Sequence, residues 1–116
     1  KIKEMKAVDY FHKKPALLNC AQAILTAWQK EYDIAENTIL EFKQYGGGRA
    51  FEGACGALYA AEYLMKKHHQ QSIYKEFSVY AGSIACKEIR KNGAVSCQKC
   101  VEIADELLQN ARAKKE

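Results

Sequence analysis

The chain is organised around residues 51–61, which read FEGACGALYAA and follow a run of three glycines at positions 46–48. Three successive glycines cannot continue a helix, because glycine loses the most backbone freedom on ordering and readily adopts the positive φ that ends one. We therefore expect a loop at residues 46–48 and a helix that resumes near Gly53. This helix would carry Cys55 in its first turn, where free backbone amide groups lie.

The composition is that of a helical globular domain. Hydrophobic residues make up 48% of the 116 residues and charged residues 28%, and there is one proline. A chain of this length buries roughly two thirds of the surface that its unfolded form exposes, which is enough for one domain without disulfides. No segment shows the sustained alternation of a strand. The sequence predicts a single all-α domain over residues 1–116, a bundle of about six helices around the small-residue-rich helix that begins near Gly53.

Caps and apolar spacing place the other helices. A first helix lies within residues 3–13 and is ended by Pro15. Asn19 followed by Gln22 is typical of a capping pair and predicts a second helix that begins at Cys20. Serine caps are predicted for the last three helices at Ser72, Ser83 and Ser96.

Apolar residues at helical spacing predict the buried side of each helix. In the third helix, residues 36–45, they include Ile39 and Leu40. In the fifth helix they include Phe77 and Tyr80. The last helix presents a stripe from Val101 to Leu108.

Charge and hydropathy argue against two classes of partner. Lys and Arg exceed Asp and Glu by 18 to 14, a net charge of +4, but much of the excess lies at residues 1–6 and 112–115. Nucleic-acid binding favours instead a basic stripe with interleaved aromatic residues. No apolar run has the length needed to cross a bilayer, and the first residues are charged. We expect a cytoplasmic protein that neither binds nucleic acid nor inserts into a membrane.

The chain contains five cysteines, an odd number that in a cytoplasmic protein favours metal or redox chemistry over a disulfide framework. The predicted caps place four of them in the first turns of four different helices: Cys20, Cys55, Cys86 and Cys97. Helix amides and the helix dipole stabilise a thiolate there, so we expect these thiols to have a lowered pKa. A single buried cysteine is usually only a small hydrophobic residue. The shared placement of the four favours a function.

Cys100 forms a C-x-x-C motif with Cys97, the local arrangement of redox dithiols and of half a metal site. The chain has neither the βαβ pattern of a thioredoxin fold nor a second C-x-x-C for a zinc ribbon, and no histidine follows Cys100 for haem attachment. Because Cys100 lies one turn into the helix, beside Val101, it also fits a plain core position.

Several motifs together resemble those of the C_GCAxxG_C_C family of redox-active proteins. They are the residues 19–23 around Cys20, the glycine run, Cys55-Gly56-Ala57, the lone Cys86, and Cys97 before the closing helix. The likeness spans residues 7–108. It implies a small redox protein with four characteristic cysteines that correspond to Cys20, Cys55, Cys86 and Cys97. Similar modules occur in anaerobic bacteria and archaea, sometimes joined to electron-transfer proteins.

The chain departs from the family's pattern in two places. The last glycine of the C-G-A-x-x-G motif is Ala60 here, and its methyl group would loosen a helix crossing or crowd a ligand. Cys100 takes a position that is usually aromatic in the family and so looks like an addition.

Three readings of these thiols remain open. In the first, a thiol-based oxidoreductase or electron carrier cycles two thiols between dithiol and disulfide with a redox partner protein; Cys55 attacks and Cys97 or Cys86 resolves. In the second, the four helix-start thiolates ligate an iron–sulfur cluster or another thiophilic metal, although their spacings are long for a cluster motif. In the third, the chain is a structural or interaction domain whose cysteines only pack.

Overall fold

The computed structural model of the chain describes residues 7–11, 18–45, 55–67, 72–92 and 95–115, with the backbone alone for residues 8, 90, 92, 97 and 112–115. Within these ranges the chain is helical and forms no strand, apart from isolated bridges such as Phe11 to Leu18. The helices are α1 (Ala7–Tyr10), α2 (Cys20–Ala27), α3 (Gln29–Tyr32), α4 (Glu36–Glu41), α5 (Gly56–Lys67), α6 (Tyr74–Ala81), α7 (Cys86–Asn92) and α8 (Cys97–Lys115). A 3₁₀ turn, Phe42–Tyr45, follows α4 directly. The predicted all-α fold is confirmed.

None of the helices in the described ranges combines the length and the apolar character needed to cross a bilayer.

Helices α2, α5 and α8 pack against one another in the centre of the bundle. Their contacting sides carry small and aliphatic residues without solvent exposure, among them Ala21 and Ile24 of α2, Ala57, Leu58, Ala61 and Leu64 of α5, and Val101 and Leu108 of α8. Small side chains let helix backbones approach closely, which explains why α5 can contact several neighbours. The helix that the sequence predicts to be central is α5, and it shares the centre of the bundle with α2 and α8.

The start of α2 follows the predicted capping pair. Asn19 Oδ1 accepts a hydrogen bond from the Gln22 amide (2.8 Å), and Gln22 Oε1 accepts one from the Asn19 amide (3.2 Å). The same two side chains reach the end of α4, since Gln22 Nε2 donates to the Ile39 carbonyl (3.0 Å) and Asn19 Nδ2 to the Lys43 carbonyl (2.9 Å). The pair therefore fixes Cys20, which lies between them in sequence, relative to two helical segments.

The predicted serine caps are confirmed for one helix and shifted for two. Ser96 Oγ accepts a hydrogen bond from the amide three residues on (3.0 Å) and caps α8. Ser72 and Ser83 each accept instead a hydrogen bond from the amide two residues on, at 3.1 Å. Helix α6 therefore begins two residues after Ser72, and α7 begins three residues after Ser83. Cys86 is consequently the first residue of α7.

Two side chains predicted to be buried lie on the surface. Leu40 and Tyr80 are each 65% exposed. Their helices bury only one narrow side: α4 through Ile39, and α6 through Phe77 and Ala81, which are four residues apart on one face. A short outer helix packs on the bundle with one side only. Apolar residues beside that narrow contact stay exposed to solvent.

A buried carboxylate joins three helices. Asp105 of α8 accepts a hydrogen bond from Trp28 Nε1 through Oδ1 (2.7 Å) and one from the Ala7 amide through Oδ2 (3.0 Å). Ala7 begins α1 and Trp28 directly follows α2. A second buried carboxylate, Glu62 of α5, accepts from Ser72 Oγ (2.8 Å) and from the Ile73 amide (2.6 Å) before α6. Each carboxylate thus accepts one hydrogen bond from a side chain and one from a backbone amide at or just before the first residue that the structure assigns to a helix.

Replacement of Asp105 by alanine should destabilise the fold by about 2–4 kcal/mol, because Trp28 Nε1 and the Ala7 amide would each lose a buried acceptor. The free energy of unfolding from urea titration measures this. Glu106→Ala, on the exposed neighbouring position of the same helix, is the control and should change stability by less than about 0.5 kcal/mol. Equal stabilities of the two variants would show that the hydrogen bonds accepted by Asp105 do not stabilise the fold.

Candidate functional site

Cys55 lies directly before α5 and caps it. Its carbonyl accepts a hydrogen bond from the Tyr59 amide (2.9 Å), and its sulfur accepts one from the amide of Leu58, the third residue of the helix. This is the pattern of an N-cap side chain, which is usually an oxygen of Ser, Thr, Asp or Asn. The predicted position in the first turn is thus wrong by one residue, since Cys55 is the cap itself. Gly53 and the glycine run 46–48 lie outside the described residues.

Three thiols meet at the start of α5. Cys20 is the first residue of α2, Cys100 lies one turn into α8, and a hydrogen bond links each of their thiols to that of Cys55. All three belong to one contiguous core. The exposed fraction is 8% for Cys20, 3% for Cys100 and 5% for Cys55. None of the three is joined in a disulfide. We call Cys20, Cys55 and Cys100 the thiol cluster.

Gly56 allows Cys20 to approach α5. A Cβ atom at this position would lie 2.6 Å from Cys20 Sγ and 2.7 Å from the Tyr45 carbonyl oxygen, closer than non-bonded atoms pack. The Tyr45 backbone cannot move away easily, because the Tyr45 ring packs on Tyr59 (4.8 Å between ring centroids) and on Phe42 (5.1 Å). The glycine next to the capping cysteine is therefore a requirement of close packing.

The cluster raises the pKa of Cys55 from its ordinary value of 9.0 to about 12. The main cause is the hydrogen bond that the Cys55 thiol donates to Cys100, which stabilises the protonated form. Burial and negative charge on Cys100 raise the pKa further, whereas hydrogen bonds from Cys20 and from the Leu58 amide lower it. The expected lowering of this pKa by the helix start is wrong, because the neighbouring thiol and burial outweigh the helix amides.

Of the other two predicted site cysteines, the structure describes the side chain of Cys86 but only the backbone of Cys97. Cys86 is buried at the first position of α7 but lies outside the contiguous core that contains the thiol cluster. The segment just before Cys86 is held close to Cys55, because the Cys55 amide donates a hydrogen bond to the Ile84 carbonyl (2.8 Å). Cys97 is the first residue of α8, as predicted, and its side chain lies outside the described residues.

Of the four predicted site residues, the structure thus brings the thiols of Cys20 and Cys55 together and adds Cys100. The sequence did not assign Cys100 to the site, although two signals were present: its C-x-x-C spacing from Cys97, and its place beside Val101, the start of the apolar stripe of the last helix. Cys100 is buried, in agreement with the core position that the sequence left open as one alternative.

No group of three or more His, Cys, Asp or Glu side chains in the described part of the chain has an arrangement that could hold a metal ion. The predicted metal-binding set, Cys20, Cys55, Cys86 and Cys97, includes one side chain outside that part. Metal ligation by these four residues stays a prediction.

Comparison with known proteins gives one family. The family model described as "Putative redox-active protein (C_GCAxxG_C_C)" matches residues 18–111, a range that contains all five cysteines. The chain belongs to this family. No curated protein and no solved structure shows significant similarity to it. The family description ascribes redox activity in general terms and leaves the roles of the individual cysteines open.

Gly56→Ala should destabilise the protein by about 1–3 kcal/mol, because the added methyl group overpacks the contact with Cys20 and Tyr45. We also expect faster alkylation of Cys20, since its sulfur must move off α5. Urea unfolding and mass spectrometry of the tryptic peptide 14–30 measure the two effects. Ala60→Gly, one turn further along α5, is the control: it should cost about 2 kcal/mol through helix propensity and the loss of a buried methyl group, without changing Cys20 alkylation. Unaltered stability and alkylation in Gly56→Ala would disprove the packing role.

The raised pKa makes a prediction for pH. Because thiolate is the reactive form, Cys55 in the native protein should react with iodoacetamide at pH 9 more than about 100-fold slower than in the denatured protein. A raised thiol pKa stabilises the fold fully below pH 9 and progressively less between pH 9 and about 12, where the unfolded chain has lost the proton that the folded chain keeps. Alkylation of peptide 50–66 across pH gives the pKa.

Cys100→Ala removes the main cause of this shift, and the pKa of Cys55 should fall toward 9.0 in that variant. A pH profile identical to that of the wild type would show that the Cys100 thiol does not control Cys55.

Proposed function

We propose that the protein is a thiol–disulfide redox protein in which Cys20 and Cys55 form a reversible disulfide. The observation that carries this proposal is the contact between these two thiols, which extend from the starts of two packed helices and are both among the family's four cysteines. Thiols in contact need little backbone movement to reach the geometry of a disulfide. Gly56 supports the same proposal, because it removes the one side chain that would separate them.

The reaction is an exchange with the disulfide of a partner protein or of a small molecule. A thiolate of the protein attacks one sulfur of that disulfide and forms a mixed disulfide, while the other sulfur leaves as a thiol. The second thiol of the pair then attacks the protein's own sulfur and releases the second partner thiol. In total, two thiols of the protein lose two protons and two electrons, and one disulfide of the partner becomes two thiols.

The environments of the two thiols suggest their order. Cys55 is held protonated at neutral pH by its raised pKa, which makes it a poor first nucleophile. Cys20 is the more exposed of the two and occupies the first position of an eight-residue helix. Once Cys20 loses the proton that it donates to Cys55, the amides at the helix start stabilise its thiolate. We therefore assign the first attack to Cys20 and the resolving step to Cys55, which replaces the expectation that Cys55 attacks first.

Ligation of a thiophilic metal or an iron–sulfur cluster is the second candidate function. The observation in its favour is the contact between the Cys20 and Cys55 thiols, which are soft donors and two members of the predicted four-cysteine ligand set. Metal analysis and a visible spectrum of protein purified without oxygen test it. Stoichiometric iron or zinc would support this candidate over the disulfide.

The disulfide proposal predicts that reduced protein, equilibrated with buffers of reduced and oxidised glutathione, loses two titratable thiols per chain in one two-electron transition. Cys55→Ser should abolish that transition and leave helicity unchanged, because serine is itself a favoured N-cap and keeps an acceptor for the Leu58 amide. Thiol titration against the glutathione ratio and far-ultraviolet circular dichroism are the measurements.

Two outcomes would reject the proposal. One is wild-type protein that keeps all five thiols in a buffer that oxidises the same chain after denaturation. The other is Cys55→Ser protein that still loses two thiols in the same transition, since the disulfide would then form without the proposed central sulfur.

A further inference from the structure

Cys100 stands outside the family's four-cysteine set, yet its thiol is in the thiol cluster. The Cys55 thiol donates a hydrogen bond to Cys100 and accepts one from Cys20. Cys55 is thus the common neighbour of two other sulfur atoms. A cysteine that only filled space in the core would need no particular sulfur beside it.

Cys100 is also held in place by a long rigid element. Its amide donates to the Ser96 carbonyl (3.0 Å) in the first turn of α8, a helix of 19 residues that packs on α5. Its side chain is 3% exposed, and the adjacent Val101 is fully buried. The contact between Cys100 and Cys55 is therefore built into the packing of α5 against α8, as that between Cys20 and Cys55 is built into the packing of α2 against α5.

We propose that Cys100 is a third redox thiol, which can replace Cys20 as the disulfide partner of Cys55. The protein then holds either of two disulfides, Cys20–Cys55 or Cys55–Cys100. This inference rests on the proposed function, since it requires that Cys55 forms a disulfide. It adds a residue to the reaction and a way to return Cys20, the more exposed thiol, to its reduced state while Cys55 stays oxidised.

The exchange balances without any further oxidant or reductant. The Cys100 thiol loses its proton, and the thiolate attacks Cys55 Sγ of the Cys20–Cys55 disulfide. The bond between Cys100 and Cys55 forms as the bond between Cys20 and Cys55 breaks, and its electron pair leaves on Cys20, which takes up a proton. One thiol and one disulfide are present before and after the step.

The sequence makes this exchange easy to follow, because trypsin places every cysteine in a different peptide. The peptides are 14–30 with Cys20, 50–66 with Cys55, 76–87 with Cys86, 92–99 with Cys97, and 100–112 with Cys100. Lys99 separates Cys97 from Cys100, so the two members of the C-x-x-C motif are distinguished. Reduced full-length protein is oxidised with glutathione disulfide, free thiols are blocked at acid pH, and the linked peptides are identified by mass spectrometry.

The wild type should give both linked pairs, 14–30 with 50–66 and 50–66 with 100–112. Cys20→Ser should still lose two thiols per chain and give only the second pair, whereas Cys100→Ser should give only the first. The two variants are matched controls for each other, because each removes one partner of Cys55 and keeps the other. Cys55→Ser should give neither pair.

The inference is overturned if Cys20→Ser keeps peptides 50–66 and 100–112 unlinked while the wild type and Cys100→Ser form the Cys20–Cys55 disulfide. That result leaves the proposed function intact. Absence of both pairs from the wild type rejects the proposed function itself, so the two failures are distinguishable. A link from Cys55 to peptide 76–87 or 92–99 in place of 100–112 also overturns the inference.

Thermal unfolding and circular dichroism establish that each variant is folded before it is oxidised. If Cys20→Ser does not fold, the wild type alone decides the question. Oxidised wild-type protein is then sampled over time in limiting glutathione disulfide. Growth of the Cys55–Cys100 link at the expense of the Cys20–Cys55 link is the expected result, and its absence at every time point overturns the inference.

Discussion

The close contact between α2 and α5 at Gly56 is the constraint on which the rest of the site depends. Because this residue has no side chain, Cys20 Sγ and the Tyr45 carbonyl both rest against the first turn of α5. The rings around Tyr45 and the capping pair at the start of α2 hold these groups in place from the outer side. A methyl group at position 56 would push α2 away from α5, and it is the contact between these two helices that brings the Cys20 and Cys55 thiols together.

The motif Cys-Gly in the centre of the chain therefore has two physical roles side by side. The cysteine caps α5 through its sulfur, and the glycine lets a second cysteine reach that sulfur. Ala60, which stands at the place of the final glycine in the motif that the chain resembles, has its methyl group fully buried in the core. The departure at this position leaves the thiol cluster intact.

Within the cluster, contact between thiols outweighs the helix start in setting protonation. A helix N-terminus stabilises a negative charge by about 0.3–1 kcal/mol. The difference between a pKa of 9.0 and one of about 12 corresponds to about 4 kcal/mol in the opposite direction. The Cys55 thiol, which donates its proton to Cys100 in a buried site, thus stays protonated even though the backbone amides favour the thiolate. Position on a helix alone does not identify the reactive thiol.

The sequence by itself determined that the chain is helical, where several helices begin, and that four cysteines lie at or next to helix starts, because these features depend on interactions between residues only a few positions apart. Asn19 with Gln22 and Ser96 with the first turn of α8 are examples. Only the tertiary structure decided which helix ends meet. The contacts of Cys55 with Cys20 and Cys100, and the burial of Asp105 beneath Trp28, join residues far apart in the chain. Such contacts depend on how whole helices cross, and helical periodicity carries no information about that.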